Sequence, residues 1–139
     1  MARGPAGRGD RAAPRRVRLA HPGGGGVPLA FGSDFPVEAP DPRAGLAAVE
    51  ARAARGGRPF LPEEALDRAA AIAGFTRGAA WACFAEARRG MVREGMEADL
   101  TLFAGDPAAC DPDRLRDLRV THTIVGGRVE PGGPEAPVR

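Results

Sequence analysis

The chain contains no lysine and no tyrosine, and only two cysteines and two histidines in 139 residues. Every cation is therefore arginine, a bias that most simply reflects a GC-rich coding sequence. Cys83 and Cys110 form no C-x-x-C pair, so neither a disulfide framework nor a zinc knuckle is indicated. Cys83, within "AAWACFA", is expected to be a small buried apolar residue. No run approaches the roughly 18 consecutive apolar residues of a membrane span. The N-terminus has arginine but no apolar core for export, so a cytoplasmic location is the default expectation.

What is present is unevenly placed. Residues 1–26 hold six arginines against one acid, Asp10, a balance of +5, while the rest hold fourteen arginines against seventeen acids. The body is mildly acidic, and the net charge of +2 belongs to the tail. This Arg/Gly/Pro-rich tail offers only Val17 and Leu19 for burial and is expected to be disordered. Arginines can bind nucleic acid through phosphates, but no aromatic residue is interleaved for base stacking. Nucleic-acid binding therefore ranks last among the functional readings.

From Val27 the pattern changes. "VPLAF", bounded by "GGGG" and "GSD", fits a short strand buried on both faces, as in a parallel sheet. Asp41 and Pro42 read as N-cap and first helical residue, with Leu46, Val49 and Ala53 on one face and "RGG" as the stop. "LPEEALDRAAAIAGFTRGAAWACFAEARRG" is helical in pattern from Pro62, with Leu66, Ala69, Ala70, Ile72 and Ala73 as its apolar face. Gly74 and Gly78 are expected to divide it, with Thr76 as a candidate cap for the part around Trp81 and Phe84. "EADLTLFAGD" alternates like a strand, "DPDRLRDL" is a short polar helix or turn, and "VTHTIVGGRVE" is a hairpin around Gly126-Gly127.

The stretch "FGSDFP" places a carboxylate, Asp34, where the expected strand ends. In parallel sheets chemistry collects at the carboxyl ends of strands, where the following loops converge. A carboxylate there wants a cation, an arginine or backbone N–H donors, because burying it unpaired costs several kcal/mol, on the order of a lost ion pair. The plainer alternative is that Asp34 caps its own turn.

"LAFGSDFPVEAPDPRAGLAAV", "FTRGAAWACFAEARRGMVREGMEADLTLF" and "VTHTIVGGRV", in that order, resemble the C-terminal part of the amidohydrolase superfamily, in its amidohydrolase-3 group. The resemblance implies an α/β fold: the C-terminal fragment of a (β/α)8 (TIM) barrel metal-dependent hydrolase, with the last strand and following helices, plus part of a small composite β-sandwich. It implies hydrolysis of carbon–nitrogen bonds in small amide-like substrates, with a divalent metal, zinc before others, in the complete enzyme. Asp34 matches the carboxylate that ends the eighth barrel strand, both catalytic and in contact with the metal centre. Asp99, in "ADL", is read as a strand-entry turn without a catalytic role.

The same resemblance exposes gaps. The family draws further metal ligands from an H-x-H pair, a carboxylate or modified lysine and later histidines, and the chain has neither H-x-H nor lysine. His21 lies in the tail and His122 in a late strand, and neither is expected to hold a metal. At 139 residues the chain falls short of the roughly 250 of a complete barrel. The expectation is a fragment inactive and metal-free on its own, with residues 1–26 a disordered tail, 27–89 barrel, 90–130 sandwich and 131–139 a second disordered tail. The alternative is a non-catalytic interaction domain that completes a barrel with another chain. Unpaired strand edges would also favour self-association.

Overall fold

The protein is described by a computed structural model, which describes residues 28–53 and 56–130. Val27, His21 and the two expected tails lie outside the described residues.

Helix α1 spans Pro42–Ala51 and starts as its sequence demands. The Asp41 carboxylate accepts the Arg43 N–H at 3.0 Å, and Pro42 occupies the position whose own N–H would be orphaned. The helix stops where Arg52 turns left-handed, ahead of the expected "RGG". Leu46 and Ala47 are its buried residues, and Val49 packs against them.

The long helical pattern beginning at Pro62 breaks into pieces. Pro62–Glu64 is one 3-10 turn, after which Ala65 is extended. Helix α2, Arg68–Ala73, begins at Asp67, whose side chain accepts the Ala70 N–H at 2.7 Å. A π-helical turn, Gly74–Gly78, leads without a break into α3, Ala79–Ala82. Thr76 is not a cap, because it sits inside the helical run and its hydroxyl donates back to the Ile72 carbonyl at 2.7 Å. The buried residue of α2 is Ala71, whereas Ala69 and Ala70 of the expected apolar face are exposed. Cys83 is exposed, contrary to expectation. The chain leaves the helix at that point, with Phe84 left-handed and 94% exposed, so the segment turns outward.

Strands β1 (Leu100–Phe103), β2 (Val120–Val125) and β3 (Arg128–Val129) form one antiparallel sheet in the order β1-β2-β3. Leu100 faces Ile124 and Leu102 faces His122, and a bulge follows before Phe103 meets Val120. Gly126 and Gly127 both have positive φ, as a two-residue hairpin turn of the expected kind requires. Helix α4, Pro112–Arg116, connects β1 to β2.

The expected strand is absent as a strand. Pro28–Phe31 is irregular and lies outside the sheet, because the Phe31 N–H is engaged by the Gly74 carbonyl at 3.1 Å. A two-sided parallel strand needs neighbours on both edges, and the strands among the described residues pair with one another instead. What the chain builds is a small mixed α/β unit.

Its core lies between α1, α2 and α4, where Leu46, Ala47, Ala71 and Leu115 are buried together. Residues on both sides of position 89 therefore share one core. Two arginines fasten it. Arg43 grips Asp41 and also donates to the Leu118 carbonyl at 2.8 Å, tying α1 to the end of α4. Arg68 pairs with Glu50 at 2.6 Å and donates to the carbonyls of Pro107 and Cys110. Among the described residues no helix is long and apolar enough to cross a membrane.

Candidate functional site

Asp34 stands at the head of a tight turn. Its φ is 53°, a left-handed conformation that aspartate tolerates better than most side chains. Its carbonyl accepts the Val37 N–H at 2.9 Å, and the Phe35–Pro36 peptide between them is cis. The bond that closes the turn is thus made by the backbone and not by the carboxylate. The side chain is left exposed to solvent, without a hydrogen-bond partner among the described residues.

The loop is held at both ends. Upstream, the Phe31 N–H is bonded to Gly74, and its ring stacks in a tilted contact with Phe75, 5.4 Å between centroids. Downstream, Asp41 and Arg43 close a multiply hydrogen-bonded pair at the start of α1. The hydrogen bond from Arg43 holds the Asp41 carboxyl below its ordinary value, against the opposing effect of partial burial. The same bond raises the Arg43 guanidinium. A cleft of about 680 Å³ borders the loop at Gly32 and Ser33, walled by Phe60 and Phe75, with Arg52 and Arg116 among its lining. Asp34 lies outside this lining.

The other residues singled out in the sequence do not gather around Asp34. His122 is exposed on β2, paired across the sheet with Leu102. Asp99 accepts the Gly126 N–H at 2.7 Å and lies 3.4 Å from Arg89, so it anchors the hairpin turn, in keeping with a strand-entry role. Among the described residues, no three His, Cys, Asp or Glu side chains are grouped as a metal site needs. These residues therefore do not fit a divalent cation, for which one exposed carboxylate is too few ligands.

Two features, one in the core and one beneath the Asp34 loop, are not announced by the sequence pattern. Arg68, one charge on a short helix, has only 11% of its side chain exposed. Burial pulls its pKa down, and the bonds to Glu50 and Cys110 outweigh that to leave it raised. The glycines of "GFTRG" read as helix dividers, whereas in the structure they are contact points for the segment leading to Asp34. Their spacing of four was the available signal.

The sequence profile of the amidohydrolase family matches residues 23–130, a span that includes Asp34. The chain is 35% identical over 107 residues to YtcJ of Bacillus subtilis (strain 168), a protein classed as an amidohydrolase, covering 75% of this chain and 20% of that one. It is 30% identical over 102 residues to the N-substituted formamide deformylase of Arthrobacter pascens, covering 73% of this chain and 19% of that one. The chain thus spans about a fifth of the length of the curated relatives it matches. No solved structure matches it.

Proposed function

The chain belongs to the amidohydrolase family, and from that premise we propose that it contributes Asp34 as the proton-handling carboxylate of a hydrolase acting on carbon–nitrogen bonds other than peptide bonds. The observation that carries this reading is the exposed carboxylate at the head of a turn anchored on both sides. Such a group accepts a proton from a water molecule as its oxygen bonds to the carbonyl carbon. It then returns that proton to the nitrogen as the carbon–nitrogen bond breaks, so it ends the cycle unchanged. Positioned proton transfer of this kind contributes about 10²–10⁴-fold in rate.

In this reading the chain corresponds to the closing part of a (β/α)8 barrel, with Pro28–Phe31, irregular here, in the place of the last strand, followed by the Asp34 turn and α1. The three-stranded sheet corresponds to part of the accompanying β-sandwich. The remaining cation ligands must come from beyond the described residues, so residues 28–53 and 56–130 by themselves would hydrolyse no amide. Small amides are the substrate class, and N-substituted formamides, which name the Arthrobacter relative, are the first to test.

The test is a chimera in which residues 28–130 replace the matching segment of that deformylase. The chimera should hydrolyse N-substituted formamide, and Asp34→Asn within it should lower kcat by about 100-fold or more, in line with lost proton transfer. Equal turnover by the parent chimera and the Asp34→Asn form refutes the assignment. So does formamide hydrolysis by the chain alone with the Asp34 carboxylate removed.

A further inference from the structure

We propose that Phe31 and the two glycines of the π-helical turn, Gly74 and Gly78, are positioning residues for Asp34. This rests on the reading of Asp34 as the proton-handling group. Glycine is the poorest helix former after proline, yet both glycines lie inside one continuous helical run. Gly74 has φ −64° and ψ −39°, and Gly78 has φ −65° and ψ −44°. These are ordinary right-handed helical angles, open to any residue, so the backbone conformation does not call for glycine.

Space does. A Cβ on Gly74 would stand 2.3 Å from Cδ2 and 2.5 Å from Cε2 of Phe31. A Cβ on Gly78 would stand 1.9 Å from the Leu29 carbonyl oxygen. The segment entering the Asp34 loop therefore lies directly on the helix backbone at both ends of the turn. The N–H of Phe31 donates to the Gly74 carbonyl at 3.1 Å, fixing the register of that contact.

The grip continues to α1. Phe75, within the π turn, packs against the Phe31 ring and presses on Gly45, where a Cβ would stand 2.5 Å from its Cζ. Phe31 is thus seated on the π turn and linked through Phe75 to the helix at the other end of the loop. Two residues, Gly32 and Ser33, separate Phe31 from Asp34, and the next fixed point is Asp41. An irregular segment with no sheet to hold it is in this way given a defined place. Single-turn π insertions are frequent at functional sites, and here the insertion supplies the seat.

The proposal is tested on the complete chain by ¹⁵N relaxation of Gly74→Ala, Phe31→Ala and the double variant. In the parent the Asp34 and Val37 amides should have order parameters near the rigid value of about 0.85, falling below about 0.6 in both single variants. The amides of β2 should keep their parent values, which separates loss of the seat from loss of the fold. In the double variant α2 should regain parent-like relaxation, because the new Cβ no longer meets a ring, while the Asp34 loop stays mobile. Parent-like order at Asp34 in Phe31→Ala, or a mobile Asp34 loop already in the parent, overturns the proposal. Relaxation needs neither metal nor substrate, so this outcome is independent of whether Asp34 handles a proton, which the chimera decides.

Discussion

Leu115→Ala is the perturbation that most directly probes how this chain holds together. Leu115 is the largest fully buried side chain among the described residues and meets Leu46, Ala47 and Ala71. The substitution removes three carbons, about 2.4 kcal/mol at about 0.8 kcal/mol each. The void adds to this, at about 24 cal/mol per Å³ of residual cavity. Relaxation into it is restricted. Two of the three buried neighbours are alanines with nothing to swing inward. The C-terminal end of α4 is also held, by Arg43 on the Leu118 carbonyl and by Arg116 on the Ala53 carbonyl. The loss should therefore be about 3–4 kcal/mol, inside the range of about 2–5 measured for such changes. In urea, with a slope of about 2 kcal/mol per M, the midpoint should fall by roughly 1.5–2 M. A loss below about 1 kcal/mol, the average for an arbitrary substitution, would refute the docking of α4 on α1 as the organising contact. A reduced slope with β2 amides still protected would show instead that α4 detaches alone.

Two further outcomes follow from local geometry. Because the folded pKa of Asp41 is lowered, its stabilisation is complete above the unfolded value of about 3.9 and disappears as pH falls through the folded value. Urea midpoints against pH should show that acid limb in the parent and a flatter one in Asp41→Asn, which still caps α1; Asp41→Ala should cost about 1 kcal/mol at neutral pH. With a disulfide reagent, the exposed Cys83 should react well before the half-buried Cys110, and Cys83→Ser should remove the fast phase. Equal rates for the two thiols would contradict the outward course of the chain at Phe84.

Features governed by neighbours in sequence were legible from the residues alone. Asp41-Pro42 fixes the start of α1 through one side-chain bond and one missing N–H. Gly126-Gly127 fixes the β2–β3 turn because both positions need positive φ. The family was legible from three separated blocks occurring in order, and the family match spans all of them. Tertiary structure decided the rest. Whether Pro28–Phe31 is a strand depends on edges that only distant residues can offer, and the Gly74 carbonyl took its N–H instead. Whether Arg68 is a surface charge or a fastening depends on Glu50 and Cys110 arriving beside it from elsewhere in the chain. Whether a glycine ends a helix or seats another segment depends on what lies above it, and periodicity along one element carries no information about the element opposite.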